Sequence, residues 1–248
     1  SQYVSGIGIA AYTWIFCPYL RVTKAHCRIR LSCVKEIAGF SVLTCVQQSV
    51  MNLGILMVQG LVNSFGPAVM AAFAAAVKID SFAYMPVQDF GNAFSSFIAQ
   101  NYGAKKEDRI RKGLKGAVAA SVLFCVVISA AVWMFAEPLM LLFIDKSETA
   151  IVAEGIRYLH IEGAFYCGIG CLFLLYGLYR ALGKPGMSVV LTVISLGTRV
   201  ALAYLLSAIP AVGVVGIWWS VPIGWALADI AGLSYYVVRK NDLLRFGS

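Results

Sequence analysis

Six apolar segments, each longer than 20 residues, follow one another through most of this 248-residue chain. They are bounded at 37–63, 68–99, 114–136, 155–179, 187–208 and 214–238. A helix needs about 20 apolar residues to cross a bilayer core, whereas the strands of a membrane barrel are about ten residues long and alternate. The pattern therefore predicts an all-α membrane protein built on a six-helix transmembrane bundle. Only 13% of residues are charged, against about 25% in soluble domains.

The segments outside the bundle complete the predicted organisation. Residues 1–17 are apolar and are interpreted as the tail of a preceding helix, and residues 18–35 form a basic loop. The predicted bundle occupies residues 36–238, and residues 239–248 form a short basic tail.

The net charge of +8 reflects where the basic residues sit rather than a nucleic-acid surface. Sixteen of the 20 Lys and Arg residues fall in segments on one predicted side of the membrane, namely 18–35, 103–115, 180–184 and 239–245. Cytoplasmic loops carry such an excess. We therefore predict that this side, including the C-terminus, is cytoplasmic and that nucleic acid is not a partner.

No catalytic or metal-binding pattern is visible in the sequence. The two histidines, His26 and His160, have no companion at a metal-ligand spacing, and the seven cysteines include no CxxC pair. The sequence therefore predicts reduced cysteines, no metal ligands, no cofactor and no enzymatic activity.

Polar side chains recur on one face of the first full segment. Gln48, Asn52 and Gln59 lie within about 40° of one another on a helix that turns about 100° per residue.

The next segment carries three of the charged residues within the bundle. Lys78, Asp89 and Asn92 share one face, whereas Asp80 lies nearly opposite, with Tyr84. The fifth segment repeats the pattern with Thr192 and Arg199. A charged group at mid-bilayer costs roughly 2.5–3.5 kcal/mol, so these groups need partners or water.

Two interpretations of these stripes remain open. Single amides and hydroxyls often hold helices together at about 0.6 kcal/mol per hydrogen bond. Stripes on three helices that also carry ionisable residues favour a polar transport pathway. Within it we expect Asp80 to be buried and paired with a base or a tyrosine, Arg199 being the first candidate.

Four stretches resemble the multidrug and toxic compound extrusion (MATE) transporters. They are DSFAYMP at 80–86, AQNYGAKKEDR at 99–109, RALGKP at 180–185 and GVVGIW at 213–218. These are similar to the family's eighth helix and following loop, the loop after its tenth helix, and the start of its twelfth.

The resemblance implies one lobe of a twelve-helix transporter. The chain would hold the tail of helix six, the lobe-connecting loop and helices seven to twelve. The amino-terminal six-helix lobe would be a missing partner, and the chain would be a fragment or an incomplete gene product. Small organic compounds would be the substrates, membrane lipid would surround the bundle, and H⁺ or Na⁺ would be the coupling ion.

One difference from the NorM-like members of the family indicates which branch the chain resembles. The acidic residues associated with Na⁺ in the carboxyl lobe of NorM-like members align here with Ser49 and Ile169, so the sequence is more similar to the DinF-like branch. A lipid-linked oligosaccharide flippase of the same superfamily and a non-transporting membrane subunit or membrane enzyme remain as alternatives.

Overall fold

A computed structural model describes residues 2–17 and 31–243 of the chain. All the regular elements in these ranges are α-helices, in keeping with the predicted fold class. In chain order they are α1 (Gln2–Phe16), α2 (Leu31–Asn63), α3 (Pro67–Gly103), α4 (Glu107–Met134), α5 (Ala136–Leu141), α6 (Thr149–Gly163), α7 (Tyr166–Ala181), α8 (Pro185–Ser207) and α9 (Val214–Leu243).

Five of the described helices are long and apolar enough to cross a bilayer, namely residues 37–63 of α2 and the helices α3, α4, α8 and α9. The bent pair of α6 and α7 also meets this test when its two helices are taken together, which makes up to six spans. All of these helices overlap the predicted apolar segments. The protein is therefore an all-α, multi-pass membrane protein.

The predicted boundaries differ from the helices at both ends of the bundle. Helix α2 begins at Leu31 rather than after residue 35, because neither Gly nor Pro interrupts the chain between Leu31 and Ile37. Residues 18–30 of the predicted loop lie outside the described residues. Helix α9 continues to Leu243, five residues beyond the predicted end of the bundle.

The breaks between spans follow from local backbone chemistry. Pro67 and Pro185 occupy the first turns of α3 and α8, where a missing N–H is harmless. Gly66 precedes α3 with φ +99°, a conformation that other residues rarely adopt. Pro86 and Pro222 lie inside α3 and α9, which continue through them.

The described residues up to 42 and those from 43 onward form two compact units. The first holds α1 and the opening turns of α2, and its described large apolar side chains are exposed, as at Tyr3, Trp14 and Leu31. The second holds the rest of the bundle and its core.

The core of the second unit is organised by close backbone contact between α3 and α7. A Cβ added to Gly177 would lie 2.5 Å from the carbonyl oxygen of Gly91, and one added to Gly91 would lie 2.9 Å from that of Phe173. Only glycine lets the two helices approach so closely. Helices α8 and α9 meet similarly at Gly224, whose added Cβ would lie 2.5 Å from the Ser195 carbonyl oxygen.

An aromatic group joins α3, α6 and α9. The Trp218 ring stacks on Phe73 with 5.5 Å between centroids and meets Tyr158 edge-on at 5.0 Å. The Trp218 indole N–H donates a 2.8 Å hydrogen bond to Glu154 Oε1. Trp218 is thus fully buried while its polar atom keeps a partner, as a buried indole requires.

Candidate functional site

Asp80 is buried at the contact between α3, α6 and α7, with only 3% of its surface exposed. Its carboxylate accepts a short hydrogen bond from the Tyr166 hydroxyl at the start of α7. The tyrosine partner expected for Asp80 is therefore present. The second carboxylate oxygen, Oδ2, is buried and accepts no hydrogen bond from the described residues.

A second carboxyl group lies beside Asp80. Glu162, on α6, is 4% exposed, and its carboxyl is within hydrogen-bond reach of the Asp80 carboxyl. Tyr158, one turn earlier on α6 and 3% exposed, contacts both acids through its hydroxyl. We call Asp80, Tyr158, Glu162 and Tyr166 the carboxyl cluster.

Arg199 is the cation that faces the carboxyl cluster. It lies on α8, is half-buried, and interacts electrostatically with Asp80, Glu162 and Tyr158. It forms no ion pair within 4 Å with either acid, so the direct Asp80–Arg199 pair expected from the sequence is wrong and Tyr166 is the hydrogen-bond partner. The Arg199 Nε is itself buried without a partner among the described residues.

The carboxyl cluster lies at the break between α6 and α7. Helix α6 ends at Gly163 and α7 begins at Tyr166, with a bend of 51° between them. The turn closes through hydrogen bonds from the Phe165 N–H to the Glu162 carbonyl and from the Gly168 N–H to the Phe165 carbonyl, at 3.0 and 2.8 Å. Glu162 and Tyr166 flank this break. Broken helices commonly bring polar groups to the binding sites of transporters.

A second polar contact joins α2 to α8. The Gln47 amide donates a 3.0 Å hydrogen bond to Thr192 Oγ1, and the Thr192 hydroxyl donates to the Ser188 carbonyl at 2.9 Å. Gln47 and Thr192 are both buried, whereas Gln48 is exposed. Gln47, which was not among the predicted residues, therefore marks the face of α2 that contacts α8, and a pathway role for the exposed Gln48 stays a prediction.

A third polar contact joins α3 to the end of α7. Arg180 Nη2 donates a 2.9 Å hydrogen bond to Asn92 Oδ1, and Arg180 Nε donates to the Tyr176 carbonyl at 3.2 Å. Asn92 thus belongs to an interhelical contact rather than to the carboxyl cluster.

The remaining predicted residues do not come together in one pocket. Gln59 and Tyr84 are half-buried, whereas Asn52, Lys78 and Asp89 are exposed on the bundle. Asp80 and Asp89 do face different surroundings, as the helical spacing of α3 predicted. A pathway role for the exposed residues stays a prediction.

Tyr158, Glu162 and Tyr166 were absent from the sequence-based candidates. They are spaced four residues apart, which places them on one face of a helix, so a signal for them was present. An apolar segment with tyrosines on either side of one acid is easily taken for packing. The contact of these three residues with Asp80 depends on how α3 crosses α6 and α7, which the sequence pattern does not show.

Comparisons with known proteins agree with a transporter fold. The chain resembles a MOP superfamily transporter from Pyrococcus furiosus with a TM-score of 0.86 over 96% of this chain and 54% of that one, at 19% identity. It is also similar to a variant of the Vibrio cholerae MATE transporter VcmN, with a TM-score of 0.84 over 96% of this chain and 55% of that one, at 21% identity.

The sequence itself matches the MatE family over residues 42–205. The chain belongs to this family of MATE transporters. It is 32% identical over 150 residues to the probable multidrug resistance protein YpnP of Bacillus subtilis, covering 60% of this chain and 33% of YpnP. It is 25% identical over 203 residues to YoeA of the same organism, covering 81% of this chain and 43% of YoeA. The chain thus spans less than half the length of these relatives.

Proposed function

We propose that this chain is the carboxyl-terminal half of a cation-coupled antiporter that exports amphipathic, cationic organic compounds across the cell membrane. Its coupling ion is H⁺ or Na⁺, and its partner is an amino-terminal six-helix lobe. The observation that carries the coupling is the burial of two adjacent acids, Asp80 and Glu162, within the bundle. Burying two like charges is costly without a counter-ion, so such a pair is suited to binding and releasing a cation.

The export of drugs is supported by the relatives. YpnP and YoeA are both named probable multidrug resistance proteins. A lipid-linked oligosaccharide flippase would need many bases for a pyrophosphate headgroup, whereas Lys78 and Arg199 are the bases that the sequence places deep within spans. We retain the DinF-like branch as part of the proposal.

Alternating access in transporters with two repeats uses movement of one bundle against the other around a shared site. We therefore expect the 248-residue chain alone to give no drug efflux in proteoliposomes under an imposed H⁺ or Na⁺ gradient. Co-reconstitution with the amino-terminal six-helix lobe of a full-length MATE transporter should restore efflux above empty liposomes. Efflux by the chain alone would contradict the division between lobes.

The proposed orientation places the C-terminus in the cytoplasm. Cys27 lies in the basic segment 18–35, outside the described residues, and should resist a membrane-impermeant thiol reagent added to intact cells. A variant that retains Cys27 as its only cysteine makes the label specific. A control variant whose only cysteine comes from Ser147→Cys, in the loop predicted on the opposite side, should react readily. The reverse pattern would overturn the orientation.

A further inference from the structure

We propose that Asp80 and Glu162 share a single exchangeable proton, which makes the carboxyl cluster a proton-binding site within this lobe. The inference rests on the proposed function, because it identifies H⁺ as the ion bound in this lobe and names the two side chains that hold it.

Two acceptor atoms of the carboxyl cluster lack a hydrogen-bond donor. Asp80 Oδ2 and Glu162 Oε1 are both buried and have no partner among the described residues. Buried polar atoms nearly always have a partner. The two carboxyl groups lie within hydrogen-bond reach of each other, so one proton on either acid would supply a donor to the other.

The charge of the carboxyl cluster also favours one bound proton. With both acids ionised and Arg199 positive, these groups would carry a net charge of −1 inside an apolar bundle. One proton brings that charge to zero. When the proton leaves a carboxyl oxygen for water, both acids become anions and Arg199 balances one of them.

The ionisable groups that surround the pair favour a proton over a metal ion. Tyr158 and Glu162 approach Asp80 from α6, Tyr166 approaches from α7, and Arg199 approaches from α8. The tyrosines offer hydroxyls rather than charge, so Arg199 is the cation that faces the pair. It repels a metal ion at the same place, whereas a proton forms a covalent O–H bond, and this favours H⁺ over Na⁺.

Asp80 and Glu162 lie next to the bend between α6 and α7, where their charge can affect the angle of that bend. It joins α3 to the last turn of α6, directly before the 51° break. Loss of the proton would replace an attractive contact between Asp80 and Glu162 with repulsion where the span bends. The site is therefore placed to couple protonation to the geometry of α6 and α7.

Infrared difference spectroscopy of the complete 248-residue chain in lipid nanodiscs tests the shared proton directly. A protonated carboxyl gives a carbonyl-stretch band that shifts in deuterated water, and we expect such a band at neutral pH that disappears in alkali. Asp80→Asn and Glu162→Gln should each abolish it at neutral pH, because the remaining acid is then balanced by Arg199. Persistence of the band in both variants would overturn the proposal.

Three controls test whether the band belongs to a proton on this pair. Asp229→Asn removes a different half-buried carboxyl, on α9, whose Oδ1 also lacks a partner among the described residues. The Asp80 and Glu162 variants are therefore also measured with Asp229→Asn in place, so that a band from Asp229 is removed. Asp229→Asn alone should leave the band of the pair in place, and its loss there would overturn the assignment to Asp80 and Glu162. The conservative variant Asp80→Glu should retain the band. Exchange of KCl for NaCl at constant pH should not change it, and loss in NaCl alone would show a sodium site instead.

Folding of each variant is checked by gel filtration and circular dichroism. If neither neutral variant folds, Tyr166→Phe keeps both acids and removes the hydroxyl donor to Asp80. We expect the band to remain but to move in frequency, and an unmoved band would contradict the proposal.

A transport measurement with the co-reconstituted amino-terminal lobe distinguishes this inference from the proposed function. If a proton gradient drives efflux equally in wild type and Asp80→Asn, the site does not couple transport. If wild type gives no efflux, the proposed function fails, whereas the spectra still decide whether the proton is shared.

Discussion

The side-chain amide of Gln47 donates a 3.0 Å hydrogen bond to Thr192 Oγ1 and thereby marks the face of α2 that packs against α8. Gly54 lies on the same contact, because a Cβ added to it would lie 3.3 Å from the Leu196 side chain. Gln48, the next residue after Gln47, is exposed. This difference between two adjacent glutamines can be measured.

Replacement of Gln47 by Leu should destabilise the protein, and replacement of Gln48 by Leu should not. Hydrogen bonds between membrane helices contribute about 0.6 kcal/mol on average and about 1.7 kcal/mol at most. A loss of that size lowers the melting temperature by about 2–4 °C per kcal/mol in a chain of this length. Thermal unfolding of both variants in the same detergent measures the effect, and equal stability would contradict the assigned face.

Replacement of Gly177 by Ala should separate α3 from α7. The new Cβ would lie 2.5 Å from the Gly91 carbonyl oxygen, which belongs to the backbone and cannot rotate away. Gly197→Ala is a matched control, because a Cβ there meets nothing within 4 Å. Ala favours a helix over Gly at both positions, so the difference between the variants isolates packing.

We expect Gly177→Ala to cost about 1–3 kcal/mol, as is usual when a tight core is overpacked. Gly197→Ala should be neutral or stabilising. Denaturation in a graded series of detergent mixtures measures both, and a stabilised Gly177→Ala variant would show that the close approach is not required.

Truncation of Trp218 should be among the most damaging single changes in the bundle. Trp218→Ala removes the stack on Phe73, the edge contact with Tyr158 and the donor to Glu154. Large-to-small changes of a buried Trp cost about 3–5 kcal/mol.

Trp219→Ala is the matched control, because Trp219 is 41% exposed and keeps only an edge contact with Phe165 among the ring contacts of the described residues. It should cost clearly less. The yield of monodisperse protein after heating compares the two, and similar losses would mean that burial of Trp218 does not organise the bundle.

The stability of the turn between α5 and α6 should depend on pH, because Asp145 accepts hydrogen bonds there as a carboxylate. The backbone N–H and the hydroxyl of Ser147 both donate to Asp145 Oδ1, at 2.9 and 2.8 Å, and these bonds lower the pKa of Asp145 below its ordinary value of 3.8. Stabilisation of this turn is thus complete above the ordinary value and is lost as the pH falls through the lowered pKa.

Carbon-13 NMR of the Asp145 carboxyl measures its titration. Ser147→Ala removes the hydroxyl donor and should move the pKa of Asp145 upward, towards the ordinary value. An unchanged titration would show that the backbone bond alone lowers the pKa.

The membrane class and the approximate limits of the spans could be predicted from the sequence, because they depend on local properties. The length of an apolar segment gives the limits of a span. Pro67, Pro185 and the glycines before them mark where helices start. That Asp80 and Asp89 face different surroundings on the same helix also followed from helical spacing. Each of these features is a property of a single helix.

The composition of the carboxyl cluster was decided by tertiary structure alone. Asp80 and Glu162 are 82 residues apart, and their contact requires α3 to cross α6 just before the break at Gly163. The neighbouring contact of α3 with α7 depends on glycines on both helices, Gly91 and Gly177, whose absent side chains allow backbone contact. Helical spacing shows which residues share a face of one helix. It does not show which neighbouring helix packs against that face. For that reason the sequence identified Asp80 while its partners, Tyr166 and Glu162, emerged only from the packed bundle.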